Sequence, residues 1–319
     1  MLSENESQRE HQSSAGHRAL RHLGIAAEAV PLPSAHRFPD GAHFRIEIPS
    51  IEGPGALAAV VAEAAARGTT INRVSQGSGA MLLSRGELTE MSRLGRDEGI
   101  EVSLFVGPRD EWDTGATARS SDGPAFAGRI RGARQLRYAL DDVQRAAECG
   151  IRSFLVADIG LLEVLVDAQR RGDIPADIIW KVSAYMAPTN PASFVQLERL
   201  GASTINVPSD MSLGQLGEIR SVSTLPIDLY VESPDGAGGV VRGQEVGDII
   251  PVAAPIYTKF GLRNSRPLYP SGIHLEADVI AIAREKVRRA SVALEWLARS
   301  GADVIQSQPG AKGLGIPTP

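Results

Sequence analysis

A single cysteine, Cys149, stands in a chain of 319 residues. One thiol excludes an intrachain disulfide framework and any cysteine-ligated zinc or iron–sulfur centre built from this chain alone. Histidine is nearly as scarce. Only His43 and His274 lie beyond residue forty, too few for a zinc site of three histidines, or of two histidines and a carboxylate. A Ser-His-Asp triad likewise lacks a well-placed histidine. Long apolar runs are missing as well: none reaches the ~18 residues of a membrane helix. Residues 1–18, MLSENESQREHQSSAGHR, hold no apolar leader core. Charge of one sign does not accumulate, because Lys+Arg at 33 against Asp+Glu at 38 gives −5 without a basic block. Nucleic acid is therefore not an expected partner. Phosphate-binding glycine loops are absent too. PSIEGPGAL follows the first strand where G-x-G-x-x-G would stand, and SQGSGAM lacks that spacing. What these absences leave is a cytoplasmic α/β protein with a small-molecule substrate, no membrane contact and no tightly held transition metal.

What is present, 43% hydrophobic residues, falls into alternating strand and helix patterns from His43 onward. Strand-like runs are FRIEIP (44–49), TINRVS (70–75), EVSLFVG (101–107), IRSFLVAD (151–158), DIIWKVSAY (177–185), STINVPS (203–209), PIDLYVES (226–233) and DIIPVAAP (248–255). Helical stretches such as GALAAVVAEAAARG and PASFVQLERLG lie between them, and a long helix is expected over 275–300. Strict β–α alternation implies a parallel sheet, and eight strands imply a closed (β/α)8 barrel. The expected division is a polar tail over 1–40, a barrel over 41–305 and a second tail over 306–319. The first tail holds His11, His17 and His22 without metal-ligand spacing, and a helical patch over 19–30.

Successive side chains on a strand alternate faces, so the apolar face identifies the helix side and the remainder enters the barrel. By that parity Arg45 and Glu47, Arg73 and Ser75, Lys181, Ser183 and Tyr185, Thr204 and Asn206, and Asp228, Tyr230 and Glu232 point inward. Ions so placed must be paired, hydrated or reached by ligand. Arg45, Glu101 and Asp228, early in their strands, fit a space-filling network. Lys181, Tyr185, Asn206 and Glu232, near the C-terminal ends, fit the face where barrel active sites lie. The connection 107–132, carrying Arg109, Asp110 and Trp112, reads as a lid. The segment 257–272, with Lys259, Arg263, Arg266 and Tyr269, reads as a cationic loop, suited to an anionic substrate or to the surface. Cys149, at a helix end before Gly150, reads as a packed thiol.

The stretch KVSAYMAPTNPASFVQLERLGASTINVPSDMSLGQLGEIRSVSTLPIDLYVES (181–233) resembles the barrel of the U32 collagenase-like peptidase family. Asn190 matches that family's Asn. Asp210, followed by Ser212-Leu213, stands at its acidic helix start, and Asp228 and Tyr230 match the last strand. Glu232 and Ser233 replace its His-Gly, and the four cysteines of its iron–sulfur members are lacking. The resemblance implies a barrel enzyme with peptidase-like hydrolysis, or a divergent small-molecule branch.

The expected function is thus an enzyme at the barrel mouth, a hydrolase or a lyase, acting on a small polar or anionic substrate. Lys181, Glu232 and Glu47 are the acid–base candidates, Lys181 also as a Schiff-base amine. Arg73, Ser75, Gln76, Arg109, Asp158, Tyr185, Asn206, Asp210, Tyr230 and Arg263 are the substrate-binding candidates. No cofactor is expected, with Mg2+ on Glu47, Asp158 and Glu232 as a variant. A homo-oligomer is expected; the alternative is a non-catalytic barrel subunit binding a partner.

Overall fold

The computed structural model describes residues 31–109 and 128–319. Eight parallel strands close into a barrel in chain order: β1 (Phe44–Pro49), β2 (Arg73–Gln76), β3 (Glu101–Phe105), β4 (Ser153–Val156), β5 (Ile179–Val182), β6 (Thr204–Asn206), β7 (Ile227–Glu232) and β8 (Ile256–Phe260). Each is followed by a helix on the outer ring: α1 (Pro54–Arg67), α2 (Arg85–Asp97), α3 (Gly132–Glu148), α4 (Ile159–Arg171), α5 (Pro191–Arg199), α6 (Leu213–Val222), α7 (Val246–Ala253) and α8 (Glu276–Ser300). This is the expected (β/α)8 architecture. None of the described helices is long and apolar enough to cross a membrane.

The helix starts are written locally. Ser84 and Glu87 form a reciprocal capping box on α2, and Ser212 and Gln215 do the same on α6. Asp158 caps α4 by accepting from Leu161 N, and Asn190 caps α5 ahead of Pro191. Strand parity sorts the rest. Ile46 and Ile48, Val74, Val102 and Leu104, Phe154 and Val156, Trp180 and Val182, Ile205, and Leu229 and Val231 all join one core between barrel and helices. Burying each such side chain contributes about 1.5–3 kcal/mol. The opposite parity carries the buried polar groups inside the barrel.

One strand lies elsewhere than expected. DIIPVAAP belongs largely to α7, which contains Pro251, and the eighth strand is IYTKF. Val246, Ile249, Ile250, Val252 and Ala253 are all buried and Asp248 is the one polar residue, too little to give a helical period. Pro255 holds Ala254 extended, which ends α7 and starts β8. Lys259 is consequently a strand residue, inside the barrel, rather than part of a loop.

The base of the barrel is covered by both ends of the described chain. Phe38 and Ala42 cluster with Tyr257 and Leu314. Arg45 donates to Ser307 Oγ (2.9 Å), Tyr257 Oη (2.9 Å) and the Lys312 carbonyl (2.7 Å). Gly315 N donates to Glu101 (3.2 Å), and Thr318 N to the Gly150 carbonyl (2.9 Å). The stretch 306–319, expected as a tail, thus runs across the base, as does part of 31–42. The helical patch over 19–30 and the segment with Asp110 and Trp112 lie outside the described residues.

Candidate functional site

Inside the barrel, Glu47 and Asp228 are drawn together by Arg73. Its Nε donates to Glu47 Oε2 (2.8 Å), and its Nη2 lies 2.6 Å from Asp228 Oδ1, an ion pair whose angle falls outside hydrogen-bond geometry. Glu101 is 3.6 Å from Nη1. Glu47 Oε1 is the hub above. It accepts from Lys181 Nζ and from Ser75 Oγ (2.7 Å), with Lys259 Nζ at 3.6 Å. Thr204 ties to Asp228 (3.0 Å), and Lys259 donates to Asn206, which in turn donates to the Val182 carbonyl. All the charged members are buried.

Burial opposes ionisation of Glu47, but Arg73, Lys181 and Lys259 outweigh it and hold the carboxyl well below its usual range. Lys181 goes the other way: burial, then Arg73 and Lys259, push its amine down to about 7 despite Glu47 and Asp228. Burial also works against the charge on Lys259, yet Glu47, Tyr230 and Asp228 raise it above the ordinary value, so it stays an ammonium. Lys259 also lies 4.1 Å from the Tyr230 ring centroid.

Above this network, at the C-terminal ends of the strands, opens a cavity of about 420 Å³. Lys259, Asn206, Ser75 and Tyr230 lie along its floor side. Phe105 and Leu155, inward-facing and clustered with Ala157, give it an apolar wall, and Tyr185, 46% exposed, stands at the rim. Arg109 stacks on Phe105 (3.6 Å to the ring centroid) and donates to the Gly77 carbonyl (2.8 Å), so the start of the expected lid reaches the mouth. Gln76 closes on Gly79 through both amide atoms. Tyr269 packs against Gly77, where any Cβ would collide with its ring, and shares a 2.6 Å hydrogen bond with Ser50 Oγ.

Six of the expected site residues therefore line one cavity, Ser75, Gln76, Arg109, Tyr185, Asn206 and Tyr230, and Lys259, Arg266 and Tyr269 join them from the segment read as a cationic loop. Lys181, Glu47 and Arg73 lie beneath it and do not line it. The remaining candidates sit apart. Glu232 is turned off the barrel axis by a bulge: Tyr230 pairs with Lys259 but Glu232 pairs with Phe260, so the parity slips by one. Its carboxylate accepts from Arg263 N (3.3 Å) and lies 3.8 Å from Arg289 on α8, corrected from the inward position that simple alternation gives. Asp158 caps α4 and accepts from Ile130 N. Asp210 is exposed, and Arg263 faces Asp235 at 3.8 Å. The carboxylates named for Mg2+ thus have separate partners. No group of three or more His, Cys, Asp or Glu gathers as metal ligands among the described residues.

Lys286 is the lining residue that strand parity could not find, because it belongs to α8. A signal was there. Ala283 and Ala290 fall three before and four after it, with Val279 a turn earlier, so Lys286 occupies the buried stripe of its helix.

No family model and no curated protein matches the chain. Among solved structures it is similar to the U32 peptidase Mk0906, at 21% identity and TM-score 0.41 over 61% of this chain and 71% of that one. It is also similar to native KDPGal (10%, 0.44, 81% and 99%) and to the carboxyl transferase domain of Rhizobium etli pyruvate carboxylase (15%, 0.44, 85% and 50%). These are likenesses of fold.

Proposed function

We propose that the protein is an enzyme acting on a small anionic substrate held in the cavity at the mouth, with Lys259 as the group that meets the reacting centre. The observation that carries this reading is the position of Lys259: its ammonium borders the cavity while Glu47 and Asn206 fix it from below. A fixed ammonium in a water-poor site stabilises negative charge that develops on a substrate oxygen, and it can donate a proton there. Lys181, through the shared Glu47 oxygen, is a positioning group beneath it rather than the reacting residue.

Lyase chemistry suits this lining better than hydrolysis. A hydrolase needs a base against the attacking water, and Asp235 supplies the one carboxylate among the described lining residues. Glu47 is already engaged by Arg73, Ser75 and Lys181. Enolate or carbanion formation draws its main stabilisation from a cation, which Lys259 supplies, and Asp235 or water at the open mouth takes the proton that leaves.

A panel of small 2-oxo acids, starting with pyruvate, tests the reading by proton NMR in D2O. Wild type is expected to exchange protons next to the carbonyl or to cleave a member of the panel, and Lys259→Met to do neither while melting as a folded protein. Turnover undiminished in Lys259→Met would reject the assignment. Binding without exchange or product would instead favour the non-catalytic subunit.

A further inference from the structure

Lysines that are buried in this protein normally have a carboxylate within ion-pair distance. Lys181 has Glu47 and Asp228, and Lys259 has Glu47. Lys286 does not. It is 2% exposed and borders the cavity, and among the described residues its one hydrogen bond runs to the Pro49 carbonyl at 2.7 Å. An ammonium offers three donors. The acid that acts on it, Glu52, lies beyond 4 Å and uses its oxygens to accept from Gly77 N (2.8 Å) and Ser78 N (3.0 Å).

A buried ammonium with a carbonyl as its partner is costly, and a charge so placed is retained where an opposite charge arrives from outside. The surroundings fit an oxyanion. Ser50, in the left-handed region at φ 59°, presents its hydroxyl to Tyr269 Oη on the same wall, and Arg266 lines the cavity near its rim. We propose that Lys286, with Ser50 and Tyr269, forms an oxyanion subsite that holds a carboxylate or phosphate of the substrate away from the reacting centre at Lys259. This rests on the same cavity as the function proposed above. It narrows the substrate class to molecules with a permanent anionic group and a separate carbonyl or second oxyanion.

Proton linkage gives the subsite its own signature. Glu52 from the β1–α1 connection acts on Lys286, and the described titratable and charged groups that share its cavity are Lys259, Arg109, Arg266, Asp235, Tyr185, Tyr230 and Tyr269. Burial lowers the Lys286 amine to about 7 with Glu52 alone opposing the shift. Binding an anion restores the proton, so at about pH 8 each anion bound takes up close to one proton.

Calorimetric titration of the full chain with inorganic phosphate and with acetate, in two buffers of different ionisation enthalpy, reads affinity and proton uptake together. The expected result is saturable binding of at least one anion with proton uptake. Lys286→Met should lose at least tenfold in affinity and all of the uptake, and Lys286→Gln should behave alike. The tighter of the two anions tells a phosphorylated from a carboxylated substrate. Lys259→Met is expected to keep the proton uptake, so a failed role for Lys259 leaves this result standing. No saturable binding by wild type, or equal affinity and uptake in the Lys286 variants, would overturn the subsite.

Discussion

The lower and upper halves of the barrel interior hold similar charges in opposite ways. Below, each cation is enclosed by protein partners: Arg73 by Glu47, Asp228 and Glu101, and Arg45 by Ser307, Tyr257 and the Lys312 carbonyl. Above, the cations have partners on one side and the cavity on the other, as Lys259 and Lys286 do. A buried charge enclosed by its own chain serves the fold, because removing it strands its partners. A buried charge enclosed on one side is a place for something else's charge.

The largest effect that sharpens this contrast is expected at Arg73. Arg73→Met leaves Glu47, Asp228 and Glu101 without their common cation and should cost about 3–5 kcal/mol in urea denaturation. A loss under about 1 kcal/mol would mean that the lower network does not hold the barrel together. Lys181→Met should come next, at roughly 2–3 kcal/mol, because an amine near 7 is only partly charged at neutral pH. The comparison breaks if Lys181→Met is as stable as wild type but loses ligand binding, since Lys181 would then belong with the upper set.

The pH dependence of stability is a smaller test. Lys181 and Lys286 are both lowered from 10.5 to about 7 in the folded chain. Between those values the unfolded chain binds more protons than the folded one. Stability should therefore rise with pH from about 7 toward 9.5, and the cost of the buried ammonium is felt in full below about 7. Lys286→Met should remove part of that rise and leave the Lys181 part. Urea midpoints across this range measure it, and an identical slope in the variant contradicts the lowered amine. The smallest effect is expected at the base, where Ser307→Ala removes one acceptor of Arg45 and should cost about 1 kcal/mol without changing ligand affinity.

Much of this is legible in the residues. Period-two alternation places Glu47, Arg73, Lys181, Asn206, Asp228 and Tyr230 inside, since one face of each strand is apolar and must meet the helices. Three things are not legible, each for a physical reason. The bulge between Tyr230 and Glu232 leaves no mark in PIDLYVES, because an extra residue in a strand has no fixed composition. Helix α7 has Asp248 as its one polar residue, so Ile249, Ile250 and Val252 imitate a buried strand. IYTKF does carry a signal, with Ile256, Thr258 and Phe260 alternating against Tyr257 and Lys259, but the apolar run before it masks that. Lys286 is hidden by kind rather than by pattern: parity speaks for strands, and this side chain enters the mouth from a helix.

The covering of the base has a practical consequence for handling the protein. Pro39 lies beside Gly313 there, and Thr318 pairs with Gly150 just ahead of β4, so the C-terminal end of the chain leaves from the pole opposite the cavity. A bead, a chip surface or a fluorescent reporter attached beyond residue 319 would sit behind the barrel. The mouth would then face free solution, and a binding assay on tethered protein would sample the same opening as one on protein in solution.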